Sequence, residues 1–302
     1  MTVPSAELTG LILARNEERH IARAIASLRP VCGRIVVVDA LSQDRTAAIA
    51  ASLGAQVWAR RWEGHARQLG WALERLAPEG GWVLRLDADE IVTARLAAEL
   101  AARLPLLGAD LAGATVLRRI RFQGRTIRHG GVFPLEVLRL VRPERAHCEP
   151  RLVDEHLRVD GAVARFEGEI LDDSLLSLSE WTEKHNGYAS REAVEMLHLA
   201  QPFLARGPLP LPQGRAGLRR ALKERVYARL PAGTRAAAYF LYRFVLRGGF
   251  LDGREGRTFH LLQGFWYRYL VDAKLAELRR HMAREGRGPE AAVREVLGIE
   301  LP

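Results

Sequence analysis

Cysteine is almost absent from this chain of 302 residues, and its two thiols, Cys32 and Cys148, stand far apart and outside any metal-ligand spacing. A disulfide framework and a cysteine-held metal cluster are therefore not expected; two structural thiols in a reducing compartment are. Long apolar runs are missing as well. The densest, residues 236–242, is seven residues long, against the roughly 18 that a membrane span requires. The N-terminal residues lack the basic-then-apolar pattern of a signal peptide, so a cytoplasmic location is expected. Neither glycine-rich phosphate cradle occurs, since no G-x-G-x-x-G follows the first apolar run and no G-x-x-x-x-G-K-[ST] is present. A nucleotide site in this chain has to be built from carboxylates and metal. Negative charge is scarce in one region only. From Gln201 onward 19 Lys/Arg face 9 Asp/Glu, whereas the first 200 residues carry 26 against 27. A basic tail of this kind fits an anionic partner, either a membrane surface or a nucleic acid.

What is present is alternation. Residues 8–14 form a mostly apolar run suited to a buried strand, and beyond Arg15-Asn16-Glu17-Glu18 the positions Ile21, Ala24, Ile25 and Leu28 repeat with helical spacing. Ile35-Val36-Val37-Val38 is a second strand, ending at Asp39. A helix over residues 46–53, a strand over 54–58, a helix over 68–76 and a strand from Gly81 to Asp87 follow. The pattern predicts an α/β fold with a mostly parallel sheet covered on both faces. In such sheets ligands sit beyond the carboxyl ends of the strands, where Asp39, Asp87 and Asp89 fall. Asp87-Ala88-Asp89-Glu90 offers two hard oxygen ligands one residue apart, suited to magnesium or manganese against a diphosphate. The same pattern also suits a solvated turn, and Asp39 also suits a cap.

Further along, a strand over residues 116–122 leads into Arg128-His129-Gly130-Gly131, whose glycines allow close backbone approach to a ligand. Arg60, Arg61, His65, Arg67 and Gln68 read either as a solvated face or as ligand contacts. Residues 159–163 read as a hairpin turn, and residues 175–199 as a long helix whose Trp181 and Tyr188 either line an acceptor groove or pack in the core. Pro202, Pro208, Pro210 and Pro212 mark a boundary. Beyond it helices are expected over residues 218–230, 235–246, 258–280 and 291–297. The second and third interleave aromatics with arginine, as helices lying on an anionic membrane do.

Three segments, Leu11-Ile12-Leu13-Ala14-Arg15-Asn16-Glu17-Glu18, Ile35-Val36-Val37-Val38-Asp39-Ala40-Leu41-Ser42-Gln43-Asp44-Arg45-Thr46 and Leu86-Asp87-Ala88-Asp89-Glu90, resemble in order and spacing the family 2 glycosyltransferases of GT-A fold. Ile127-Arg128-His129-Gly130-Gly131, Leu138-Arg139-Leu140, Asp154-Glu155-His156 and Gly248-Gly249-Phe250-Leu251-Asp252-Gly253 are similar to the subgroup of lipopolysaccharide core β-1,4-glucosyltransferases. The resemblance runs from about Leu8 to about Leu278. It implies a GT-A catalytic domain over residues 1–200 and a basic amphipathic helical extension over 201–302. The implied reaction is inverting transfer of a hexose, glucose foremost, from a UDP-sugar to a lipopolysaccharide core or other glycolipid, with a divalent cation (Mn2+ or Mg2+). By position, Asp39 would bond the uracil, with Ala14, Asn16 and Glu17 lining the nucleotide and Arg67 and Gln68 close to it. Asp87 and Ala88 would sit near the ribose and diphosphate, and Asp89, with Asp87, would reach the metal. Arg128 or His129 would meet the diphosphate or the acceptor. Glu155 matches the subgroup's base, although the adjacent Asp154 leaves two acids for that role. The resemblance also implies peripheral attachment to the inner face of the cell membrane through residues 218–280. ADP- or GDP-linked donors, and a polyprenyl phosphate or protein acceptor, fit the same fold. No nucleic-acid partner is expected, because the tail contains no recognised reader module.

Overall fold

In a computed structural model of the chain the described residues are 5–149, 152, 156–204 and 233–301. They divide into two compact units, the first comprising residues 1–149 and 155–175, the second 150–154 and 176–302.

The first unit is a nine-stranded sheet with helices on both faces. Strand β1 (Ser5–Ala14) pairs in parallel with β2 (Cys32–Asp39) and with β4 (Trp82–Asp87), and β2 pairs in parallel with β3 (Gln56–Ala59). Alternate β1 side chains serve opposite faces. Leu11 and Leu13 pack with Leu69, Leu73 and Leu76 of α3 (His65–Leu76), while Ile12 and Ala14 belong to the core formed with α1 (Ile21–Leu28). The four α1 positions picked out by helical spacing, Ile21, Ala24, Ile25 and Leu28, are all fully buried. With both faces covered, the strands read as near-continuous apolar runs.

The second half of the sheet is mixed. The order continues β4-β8-β6-β11-β5, with β7 on the side of β6. β6 (Leu111–Phe122) and β11 (Ala162–Asp173) are parallel. β8 (Leu135–Val141), β7 (Arg125–Ile127) and β5 (Glu90–Val92) pair antiparallel. Helix α4 (Ala94–Arg103) lies so close to β11 that a Cβ on Gly168 would be 2.4 Å from Leu96 Cα. Glu99 of α4 accepts the Gly168 N–H at 2.6 Å.

One expectation fails here. Residues 159–163 do join two strands, but not as a hairpin. β10 (Leu157–Val159) pairs with β9 (Ala146–Cys148) in a separate two-stranded sheet, whereas β11 enters the main sheet. The Asp160–Gly161 turn signal marks a change of sheet, which turn chemistry alone does not distinguish from a hairpin.

In the second unit, α5 (Leu178–Ala200) packs against α8 (Tyr267–Glu285), with α9 (Pro289–Leu297) on the same core. Tyr267, Val271, Leu275 and Leu278 of α8 meet Ala189, Ala193, Val194 and Leu197 of α5. The boundary expected at residue 200 and the edge of the compact unit at Leu175 thus differ by the length of α5. Trp181 is buried with its ring stacked on His185 at 3.5 Å between centroids, in agreement with the core-packing reading. Helix α6 (Thr234–Leu241) opens into a wide π-helical turn over Tyr242–Leu246, and α7 (Gly253–Phe259) runs through a second, His260–Trp266, into α8. The helix expected over residues 218–230 lies outside the described residues. No helix among the described residues is long and apolar enough to cross a membrane, and both cysteines are free thiols.

Candidate active site

Parallel pairing brings the acidic strand ends together. Asp39 is in register with Ala14, and Asp87 with Leu13, so the two aspartates flank the end of β1 at one edge of the sheet. Asp39 is buried. Ser42 donates its N–H to Oδ2 at 2.9 Å and its hydroxyl to Oδ1 at 2.5 Å, which leaves lone pairs on both oxygens for a further donor. The loops after β1 and β2 are bound to each other. Asn16 donates its N–H to Ser42 Oγ at 2.9 Å, its Oδ1 accepts from Gln43 N–H at 2.8 Å, and Glu17 N–H donates to Thr46 Oγ1 at 2.7 Å. Asn16 and Leu41 adopt left-handed backbone conformations, φ 56° and 55°, which costs a leucine on the order of 1 kcal/mol. The Glu17 carboxylate meets His20 Nδ1 at 2.6 Å, and His20 Nε2 accepts from Leu175 N–H at 2.8 Å, which assigns the proton of a neutral ring to Nδ1.

Around Asp87 lies a chain of alternating charge. Arg85 reaches its Oδ1 at 2.5 Å and Arg139 its Oδ2 at 3.0 Å. The same Arg139 nitrogen is 2.5 Å from Glu90 Oε1, and Glu90 Oε2 accepts the Asp87 N–H at 2.9 Å, which closes the Asp-x-Asp turn. Arg118 Nε lies 3.3 Å from Glu90 Oε1, and its Nη2 donates to Asp172 Oδ2 at 2.5 Å. Glu90 is fully buried and Arg139 is 5% exposed. Burial, and then the nearby Asp87, push the Glu90 carboxyl well up, against the pull of Arg118 and Arg85. Burial likewise raises Asp172 to about 6, opposed by Arg118, with Asp89 adding to the rise.

The expected Asp-x-Asp pair is therefore unequal. Asp87 has both oxygens engaged by guanidinium groups, so a cation placed on it would face two positive charges; Asp89, two residues on, is half-buried. Among the described residues no group of three or more His, Cys, Asp and Glu side chains could hold a metal alone. Magnesium and manganese are commonly bound by one or two carboxylates with substrate phosphates completing the shell.

The remaining candidates fall as follows. Ala14 and Ala88 are buried at the strand ends. Arg67 is exposed, while Gln68 is fully buried and its amide has no hydrogen-bond partner among the described residues. Glu90, Asp172, Ile120 and Ile127 are in register across β5, β11, β6 and β7, so the chain enters Arg128 and His129 three strand spacings, about 15 Å, from Glu90. Asp154 and Glu155 lie outside the described residues; Glu149 and His156, which flank them, are joined by an N–H to C=O bond of 3.0 Å. Glu90, Arg118, Arg139 and Asp172 were not anticipated as part of the site. The polar positions inside otherwise apolar strands were the available signal.

His65, at the start of α3, extends the network. Its Nε2 lies 2.8 Å from Arg85 Nη2 and must accept, because arginine only donates. Burial first, and then Arg85, lower its pKa from 6.5 to about 4, with Asp87 opposing. The folded protein keeps this ring neutral while the unfolded chain protonates it. Its contribution is thus complete above pH 6.5 and is lost as pH falls toward 4. Between pH 7 and 5 the protein is expected to lose about 2 kcal/mol more stability than its His65→Gln variant, measured by urea unfolding. Equal losses would contradict a neutral, half-buried His65.

Comparison with known proteins gives four findings. The profile described as "Glycosyl transferase family 2" matches residues 11–153. A lipopolysaccharide core biosynthesis glycosyltransferase, LpsC of Rhizobium meliloti (strain 1021), is 30% identical over 198 residues, covering 63% of this chain and 72% of that protein. An uncharacterized glycosyltransferase of Rickettsia conorii is 38% identical over 94 residues, covering 31% of this chain and 33% of the relative's length. Among solved structures, the mannosyltransferase PcManGT from Pyrobaculum calidifontis, in complex with GDP-Man and Mn2+, is similar in fold. It shares 13% identity with a TM-score of 0.50, covering 91% of this chain and 89% of that one.

Proposed function

The chain belongs to glycosyl transferase family 2, and from that membership we propose that it is an inverting enzyme that moves a hexose, glucose foremost, from a UDP-sugar to a lipopolysaccharide core or other glycolipid acceptor. The observation that carries this reading is the convergence of Asp39 and Asp87 at the end of β1, with Asp89 two residues beyond β4. A base held at Asp39 and a diphosphate near Asp87 and Asp89 lie across adjacent strand ends, a span of about 10 Å that suits a nucleoside diphosphate. The likeness of a long stretch to LpsC supports the choice of acceptor class.

Each group then has a role. Ala14, Asn16 and Glu17 line the nucleoside, Asp39 accepts from the base, and Gln68 offers its buried amide, with Arg67 beside it. Arg85 and Arg139 hold Asp87 rigid beside the ribose and diphosphate, with Ala88 leaving room for it. Arg128 and His129 face the diphosphate or the acceptor. Asp89 provides the carboxylate for a divalent cation, which when bound neutralises charge on the departing diphosphate. Glu155, with Asp154 as the adjacent alternative, takes the proton of the acceptor hydroxyl as its oxygen attacks C1. The C1–O bond to UDP breaks on the opposite face, and UDP leaves with the electron pair. No second carboxylate acting as an acid is needed, in contrast to glycoside hydrolysis. The basic segment over residues 218–280 brings the protein to an anionic membrane that holds the acceptor.

A panel of nucleotide-sugars titrated against the purified protein in manganese is expected to give saturable binding for UDP-sugars and for UDP itself. A preference for GDP-mannose would reassign the donor, and no binding by any member would end the reading. Glu155→Gln is expected to reduce transfer by about 100-fold or more while UDP binding persists. Near-normal turnover would move the base to Asp154.

A further inference from the structure

The surface of residues 241–261 is composed in an unusual way. Ten of its side chains are exposed. Seven are apolar or aromatic, led by Leu246 at 77% and Leu251 at 57%, with Leu241, Val245, Phe250 and Leu261 also well exposed. The other three are Arg247, Arg254 and Arg257. No carboxylate is among the ten. Asp252 is buried against His260, its Oδ2 3.4 Å from Nε2, and Glu255 is half-buried.

A cluster of aromatic rings, partly buried, underlies this surface. Phe240 and Phe244 stack at 5.0 Å between centroids, and Phe244 meets Phe250 at 6.1 Å and His260 at 6.5 Å. Gly248 turns the chain in a left-handed conformation, φ 68°, and its carbonyl accepts the Leu251 N–H at 2.9 Å. A Cβ on Gly249 would be 2.7 Å from His260 Cδ2, so only glycine lets the turn sit this close. The exposed leucines are therefore presented by a fixed frame, in water, where burying them would be favourable.

The composition selects the partner. Leucines and aromatics with arginine and no exposed acid match an anionic bilayer, where aliphatic groups enter the acyl boundary and guanidiniums stay among the phosphates. A second copy is a poorer match. A two-fold interface would set this patch against itself, arginine facing arginine with no exposed carboxylate within it. We propose that residues 241–261 are the membrane-docking surface of this protein, with Leu246 and Leu251 as its inserted tip. This narrows the membrane contact of the functional reading to one patch, and rests on that reading only for its biological purpose.

The test is flotation of the full chain with phosphatidylcholine vesicles with and without phosphatidylglycerol. Preferential flotation with the anionic vesicles is expected. Leu246→Ser with Leu251→Ser is expected to lower partitioning about tenfold or more. Arg247→Gln, Arg254→Gln and Arg257→Gln together are expected to remove the anionic preference and its salt sensitivity. Unfolding midpoints should match the wild type; if the leucine pair shifts its midpoint, the single Leu246→Ser variant replaces it. The proposal is overturned by failure to float with anionic vesicles, by unchanged flotation of the leucine variant, or by self-association in sedimentation velocity that the leucine variant abolishes. Manganese-dependent UDP binding should survive in every variant. Its absence from the wild type alongside normal flotation would sink the functional reading and leave this surface standing.

Discussion

Asp89→Asn is expected to lower sugar transfer by about three orders of magnitude, and to reduce UDP binding in manganese to the level seen in EDTA. Asparagine keeps the shape of the side chain and removes the charge that a cation requires. Asp87 is a poor substitute, because Arg85 and Arg139 already bring two positive charges to its oxygens. Loss of a preorganised charge at a departing diphosphate is worth about 4 kcal/mol of barrier. The unfolding free energy should change by less than about 1 kcal/mol. Near-normal turnover would show that Asp89 is not the metal carboxylate.

The largest effect on stability is expected at Arg139. Arg139→Met leaves Glu90, which is fully buried, with Arg118 at 3.3 Å as its remaining arginine in contact. Breaking one side of a buried pair costs about 3–5 kcal/mol, because Glu90 is left desolvated, either as a charge short of a partner or as a carboxyl that must take up a proton. Replacing both partners, Arg139→Met with Glu90→Leu, should recover a large part of that loss. Urea unfolding of the two single variants and the double variant measures the coupling. A single-variant loss below about 1 kcal/mol, or strictly additive losses, would contradict a buried network at the Asp-x-Asp turn. The double variant should remain impaired in donor binding, since Asp87 then lacks one of its two guanidinium contacts.

Much of this site was legible in the sequence for one physical reason. A parallel strand buried on both faces reads as an apolar run, and the first acid after it marks the sheet edge; that places Asp39 and Asp87 without coordinates. The helical positions of α1 were legible because each apolar residue falls on one stripe. The clamp around Asp87 was not. Arg118 and Arg139 sit at strand positions where a polar residue normally faces water, and only pairing fixes their partners: β8 lies between β4 and β6, and β11 pairs with β5. A 302-residue sequence offers no local signal for such long-range antiparallel insertions. The turn at Asp160–Gly161 was misread for the same reason, because a turn signal does not say which sheet the next strand joins. The basic, aromatic character of the tail was visible, but its partition into an inner phenylalanine cluster and an outer leucine–arginine surface depends on two π-helical turns that rotate the side-chain register.

The most direct measurement is a crystal of the protein grown with UDP and manganese, phased to locate the metal by its anomalous scattering. A manganese peak within about 2.5 Å of the Asp89 carboxylate, with the uracil ring against Asp39, is the expected result. A peak distant from Asp89, or a nucleotide bound away from the end of β1, would contradict a donor site at this edge of the sheet.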